Sequence, residues 1–191
     1  MVKRDEGALA DERAASEAQD PVPGTKQQGR EPDPRDVARQ IVLRQLAMAP
    51  RSRAELLQKL AQRGCTPDVA GDVLDRMTQV GLVDDEAYAH MLVRSQHAGR
   101  GLARRGLARE LRTKGIDAEL ADKALSSISD EDERDRARAL VDKKLRAMHG
   151  LGMEVQTRRL AGMLARKGYS SSLTFAVIRE AIADSPEHLP D

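Results

Sequence analysis

One frame is written three times along the chain: a leucine, a glycine four residues on, an apolar residue five beyond the glycine and another five after that. The copies are Leu60, Gly64, Val69 and Leu74; Leu111, Gly115, Leu120 and Leu125; and Leu164, Gly168, Leu173 and Ile178. Successive glycines stand 51 and 53 residues apart, and a basic residue, Arg63, Lys114 or Lys167, precedes each. A near-constant period of about 50 residues marks stacked supersecondary units in place of one closed globule. Molecules built that way present an extended surface to a partner.

Each copy reads as three helices. In the first, Val37, Ile41, Val42 and Leu46 keep helical spacing up to Pro50, which pushes the residue before it out of the α region. Ser52-Arg53-Ala54-Glu55 is a capping-box pattern, Leu56, Leu57 and Leu60 follow, and Gly64 sits where a left-handed residue ends a helix. Thr66 and Pro67 launch a third helix through Val69, Val73, Leu74 and Met77, closed by Gly81. The second copy starts at Asp84, carries Tyr88, Met91 and Leu92 as far as Gln96, and is expected to break at Gly99-Arg100-Gly101. Leu102, Leu107 and Leu111 then mark its second helix, and Ile116-Asp117 opens a third with Leu120, Ala121 and Leu125. The last copy has Ala139, Leu140 and Leu145, a break at Gly150 and Gly152, then Leu160 and Leu164. Ser170 to Ser172 cap a final helix bearing Leu173, Val177, Ile178 and Ile182.

The prediction is therefore all-α: an elongated array of three tandem three-helix repeats over residues 36–83, 84–130 and 131–184. A disordered tail, residues 1–35, precedes it and a polar tail, residues 185–191, follows. Composition agrees, since 33% of residues are charged and Tyr88, Tyr169 and Phe175 are the only Phe, Tyr or Trp rings. Packing must come from aliphatic side chains, with those three rings as plugs between helices.

Catalytic and metal chemistry find no foothold. Cys65 is the single cysteine, which excludes an internal disulfide and a thiolate cluster for zinc. The glycines fit no Walker pattern, the four histidines have no paired-ligand spacing, and Asp84, Asp85 and Glu86 suit a helix N-terminus. No cofactor, no metal and no enzymatic activity are expected. No run approaches the ~18 apolar residues of a membrane span, and charges fill Met1–Asp20 where a signal peptide needs an apolar stretch. A cytoplasmic protein is expected.

Formal charge is only +1, but it is unevenly spread. Residues 94–114 hold seven bases, Arg94, Arg100, Arg104, Arg105, Arg109, Arg112 and Lys114, against the single acid Glu110. Residues 143–167 hold seven more, Lys143, Lys144, Arg146, Arg158, Arg159, Arg166 and Lys167, against Glu154. Acids collect elsewhere, notably at Asp130–Glu133. Segregation of this kind points to oriented contact with a charged partner. On a helix, Arg105, Arg109 and Arg112 share one side. Asp117, Glu119 and Asp122 on a third helix would repel phosphate and argue against an operator reader. The basic segments lack any Phe, Tyr or Trp ring on which single-stranded bases would stack.

The run Gly81-Leu82-Val83-Asp84-Asp85-Glu86-Ala87-Tyr88-Ala89, then Val93-Arg94-Ser95 and Glu110-Leu111-Arg112-Thr113-Lys114-Gly115-Ile116, resembles the RecX family of bacterial RecA regulators. Ser52–Leu56 with Lys59–Gly64, and Arg166–Ser170, extend the resemblance over residues 37–183. One departure is that Leu102–Arg109 is longer than the commonest family pattern. The resemblance implies a crescent-shaped, non-enzymatic monomer. It would bind the RecA filament on DNA and damp its strand exchange, ATP hydrolysis and co-protease activity, in DNA repair and the SOS response. Arg94, Arg100, Arg104, Arg105, Arg109, Arg112, Lys114, Lys143, Lys144, Arg158, Arg159, Arg166 and Lys167 are then the candidate RecA- or DNA-binding residues. An architectural DNA-binding protein using the same patches, and a scaffold for another helical protein, are the alternatives.

Overall fold

The repeated leucine and glycine are the two halves of a helix stop. A computed structural model describes residues 33–184, in which Gly64, Gly115 and Gly168 have φ of +79°, +69° and +92°. Each glycine N–H donates three residues back, to the carbonyls of Ala61, Arg112 and Ala165, all at 3.0 Å. The following N–H, of Cys65, Ile116 or Tyr169, donates to the carbonyl of the frame's leucine at 3.1, 3.1 and 3.2 Å. This paired bonding is the Schellman motif, which satisfies carbonyls that a helix end leaves open. The same leucines, Leu60, Leu111 and Leu164, are fully buried. One residue thus both closes the helix and anchors it.

Nine α-helices occupy the described residues, with no strand among them. They are α1 Pro34–Met48, α2 Arg53–Gln62, α3 Pro67–Gln79, α4 Asp85–Arg100, α5 Arg104–Thr113, α6 Ala118–Leu125, α7 Asp130–Leu145, α8 Met153–Lys167 and α9 Ser171–Ala183. A 3-10 turn, Arg146–Met148, follows α7. Side-chain caps start most of them: Asp33, Asp84, Asp117 and Ser170 accept backbone N–H bonds, while Ser52 with Glu55 and Ser129 with Asp132 form reciprocal boxes. Helix α1 therefore takes in residues 34 and 35 of the expected tail, and residues 1–32 and 185–191 lie outside the described residues.

Three aliphatic clusters result. Ala38, Val42, Leu56, Leu60, Leu74 and Met77 hold α1–α3 together. Tyr88, Leu92, Val93, Leu107, Leu111 and Ile116 join α4–α6, and Val141, Leu160, Leu164, Tyr169, Val177 and Ile178 join α7–α9. Helix α4 breaks within Gly99-Arg100-Gly101 as expected, running past Gln96 to Arg100 and stopping at Gly101, φ +63°. A Cβ at Gly101 would lie 2.8 Å from Leu140 Cδ1 of α7. One expectation needs correction. Phe175 is not a plug: it is 50% exposed, because Thr174, Val177, Ile178, Ala181 and Ile182 already fill the inward face of α9. Tyr88 and Tyr169 are buried as expected.

The units join through an equivalent contact made twice. The residue before the Schellman glycine offers its carbonyl to the start of the preceding unit's second helix. Ser52 Oγ donates to Lys114 O at 2.6 Å, and the Ala103 N–H donates to Lys167 O at 3.0 Å. A first-turn carboxylate of the later unit accepts the next N–H: Arg53 N to Asp85 Oδ1 and Arg104 N to Glu133 Oε1, both 2.8 Å. The glycines make this approach possible, since a Cβ at Gly115 would meet Ala54 Cβ at 2.4 Å and one at Gly168 would meet Gly106 N at 2.3 Å. At Gly64, in the first of the three described units, a Cβ would meet nothing within 4 Å. Helix α8 differs. Its N-cap Gly152 lies 16 residues before the glycine, where Ser52 and Ala103 lie 12 before theirs, and Gln156 holds the equivalent position, buried and donating to Met148 O at 3.2 Å.

Candidate partner-binding surface

The charge stripes divide, in three dimensions, into residues that hold the units together and residues that face outward. Four of the predicted binders are structural. Arg104 pairs with Asp130 and Glu133 of α7, and Glu133 is only 13% exposed. Lys114 Nζ donates to Glu55 Oε1 at 2.7 Å, and Tyr88 OH donates to Glu55 Oε2 at 3.1 Å. Burial disfavours a charge on Glu55, yet Lys114, the Ser52 amide and Tyr88 outweigh it and hold this carboxyl below its ordinary value. Burial, with the Glu55 charge, pushes the Tyr88 hydroxyl up to about 12. Arg100, exposed, reaches Glu110 of its own unit at 3.2 Å and contributes to the joint only its backbone carbonyl. Lys167 turns inward to donate to Arg100 O. Burial first, then Arg100 and Arg136, holds this amine below its ordinary value.

Sequence reasoning missed what these inward cations serve. The C-terminus of α4 carries the negative end of the helix dipole and open carbonyls. Donors from the third unit cover it: Arg136 Nη2 on Ala98 O, Lys167 Nζ on Arg100 O and Tyr169 OH on Gly101 O at 3.2 Å. Burial pushes the Tyr169 hydroxyl up to about 12, so it stays protonated and donating. One signal was present, because a basic residue recurring before every glycine belongs to the repeat's framework more than to its binding face. Arg94 stays exposed beside a cleft of about 540 Å³ between α4 and α7, lined also by His97, Asp132, Asp135 and Arg136. Lys143 and Lys144 stand exposed in the last turn of α7, where positive charge offsets the helix dipole.

The remaining arginines face outward from two helices that touch. Helix α5 buries Gly106, Leu107 and Leu111, which leaves Arg105, Arg109 and Arg112 exposed on its opposite side. Helix α8 buries Gln156, Leu160 and Leu164 and exposes Arg158, Arg159 and Arg166. Contact between α5 and α8 brings one member of each set together: a Cβ on Gly106 would sit 2.3 Å from Lys167 O, and Arg109 Nη2 lies 3.5 Å from Arg166 O. The two stripes thus touch at the joint of the second and third units, with Arg158 and Arg159 further back along α8. None of these six arginines enters an ion pair with the described residues. Six guanidiniums without internal carboxylates are suited to grip external ones, or phosphates, in bidentate fashion. Among the described residues no group of His, Cys, Asp and Glu is placed to hold a metal, and no helix is long and apolar enough to cross a membrane.

Comparison with known proteins gives this arrangement a family. Models of the first, second and third three-helix domains of RecX match residues 38–77, 84–125 and 130–178. A regulatory protein RecX of Streptomyces coelicolor is 49% identical over 162 residues, covering 83% of this chain and 86% of its own. One of Mycolicibacterium smegmatis is 42% identical over 182 residues, covering 92% of this chain and 95% of its own. The crystal structure of RecX from Lactobacillus salivarius, 21% identical, superposes with a TM-score of 0.70 over 78% of this chain and 97% of that one, which shows a shared fold. With all three domain models matched in order and close relatives along most of its length, the chain belongs to the RecX family of regulatory proteins.

Proposed function

We propose that this chain regulates the RecA recombinase by binding its nucleoprotein filament and damping strand exchange, ATP hydrolysis and co-protease activity. It acts in the cytoplasm, in DNA repair and the SOS response. Binding energy alone does the work. A body seated along the filament hinders subunit rearrangement and DNA entry without chemistry of its own. The observation that supports this reading is the set of six exposed arginines on α5 and α8, none in an ion pair with the described residues, on a fold whose relatives are regulatory proteins.

The test is RecA's single-strand-dependent ATPase and strand exchange with the purified chain in stoichiometric excess; unchanged rates refute the reading. Reversing charge at Arg105, Arg109 and Arg112 together is expected to weaken inhibition at least tenfold at unchanged helical content, on the scale of several charge-assisted contacts (~1.5 kcal/mol or more each). Undiminished inhibition by that variant places the contact elsewhere. Binding to naked DNA that falls steeply with salt and needs no RecA supports the architectural alternative.

A further inference from the structure

The first unit carries the docking face that the second and third units use in their joints, and no described residue covers it. In each joint the residue before a Schellman glycine gives its carbonyl to the start of a helix, and the glycine lets that helix come close. In the first unit Arg63 and Gly64 are exposed, Arg63 O accepts no hydrogen bond from the described residues, and a Cβ on Gly64 would meet nothing within 4 Å. The helix beside this turn keeps the same register. Arg35, second in α1, pairs with Asp72, eight residues after Gly64, and Glu86, second in α4, pairs with Lys123, eight residues after Gly115. The fourth residue of each unit's first helix is then the one that looks toward a preceding helix start. In the joints it is Tyr88, bonded to Glu55, and Glu133, bonded to the Arg104 N–H; in the first unit it is Val37, and it is exposed.

We propose that this face, made of Arg63 O, Gly64 and Val37, docks the N-terminus of an α-helix on a protein subunit of the filament, a helix whose first turn is built of small residues. This rests on the filament-binding reading and gives it a contact separate from the arginines of α5 and α8. The chemistry of the occupant follows from what fills the equivalent place twice within the chain. Both times it is the first turn of a helix, with the Ser52 hydroxyl or the Ala103 N–H on the carbonyl and Ala54 or Gly106 against the glycine. A second copy of the chain offers no mate among its described residues. The starts of α2 and α5 are already engaged, and in α8 the equivalent residue is Gln156, whose N–H donates to Gly152 O at 3.1 Å within the helix. A helix start is the positive end of its dipole, so this face favours a negative neighbour and rejects a positive one. Asp85 and Glu133 meet that preference in the two joints.

The experiment titrates RecA filaments, formed on single-stranded DNA with ATP, with labelled full-length chain, and records melting and sedimentation of each variant alone. G64N keeps the turn, because asparagine tolerates the left-handed region, but adds a Cβ that holds an incoming helix off. It is expected to bind at least about tenfold more weakly, the scale of an overpacked contact. G150N is the control and should bind as wild type, since Gly150 has φ +75° and equally open surroundings but no place in a joint. The Val37 variants read the dipole. V37E, which puts a carboxylate at the position that Glu133 holds in the third unit, is expected to bind about twofold to fivefold more tightly, and V37K more weakly by a similar factor. A purely apolar contact would penalise both, so losses in both overturn the helix N-terminus as occupant. Wild-type affinity in G64N overturns the proposal, as do equal losses in G64N and G150N. A drop in melting temperature confined to G64N at unchanged filament affinity assigns the face to other residues of this chain, and a dimer that G64N abolishes assigns it to a second copy; either overturns the choice of partner. A wild-type chain that does not bind the filament refutes the filament reading and this proposal with it, whereas a binding wild type matched by G64N refutes the docking face alone.

Discussion

Three glycines share one backbone conformation but not one environment, and alanine at each should separate the cost of the turn from the cost of the joint between units. At Gly64 the φ of +79° is the whole of the strain, since nothing lies within 4 Å of the added carbon. A left-handed alanine costs about 1–2 kcal/mol. At Gly115 the same cost applies and the Cβ also lands 2.4 Å from Ala54 Cβ, where carbon atoms rest at about 3.5–4.0 Å. Ala54 has no torsion with which to retreat, so α2 must move, and overpacking of this kind adds about 1–3 kcal/mol. The sum for G115A is about 2–5 kcal/mol. At Gly168 the obstacle is Gly106 N, at 2.3 Å, and backbone yields less than a side chain, so G168A should cost at least as much. G106A isolates the joint, because Gly106 is helical and alanine is intrinsically favoured there by ~1 kcal/mol, yet its Cβ would meet Lys167 O at 2.3 Å. Urea unfolding followed by circular dichroism gives the order: G64A mildest, G115A next, G168A most severe, and G106A destabilising despite its propensity. Equal losses at 64 and 115, or a stabilised G106A, refute the idea that close glycine contact locks the units.

Glu55 has a depressed carboxyl, so its contribution is present above the ordinary value of 4.5 and lost as pH falls through the lower folded value. E55Q should therefore lower the melting temperature near neutrality and flatten its decline below about pH 4.5, and an unchanged pH profile counts against the Lys114–Glu55–Tyr88 lock. R104A should cost about 1 kcal/mol in unfolding, given that the arginine is partly exposed but holds an almost buried Glu133. It should leave filament inhibition intact; loss of inhibition without loss of stability would return Arg104 to the binding face. F175S should shift stability by less than about 0.5 kcal/mol, as for an ordinary surface change, and a large drop in melting temperature would show that the ring is packed after all.

The frame of leucine and glycine was legible without a structure because a Schellman stop is local. Leu60 to Cys65 contains every atom that the motif needs, as do Leu111 to Ile116 and Leu164 to Tyr169. Caps such as Ser52 with Glu55 are equally short-ranged, so helix number, order and most ends could be read from composition and spacing. One error came where packing outweighed local preference: the fully occupied inner face of α9 turned Phe175 outward.

Charge was legible as quantity but not as purpose. A stripe of arginines and lysines carries the same sequence signal whether its members bind a partner or bind the fold. What separates Lys114 from Arg112 is Glu55, 59 residues away from the lysine, and what separates Arg104 from Arg105 is Glu133, 29 residues from Arg104. Arg109 and Arg166, 57 residues apart, meet because Gly106 and Gly168 let α5 and α8 approach closely. The chain by itself thus determined the three units and their stops, through interactions that reach five residues or fewer. Only the tertiary structure decided which cations are spent inside the joints and which are left to face a partner, because that choice depends on carboxylates and carbonyls brought from other units.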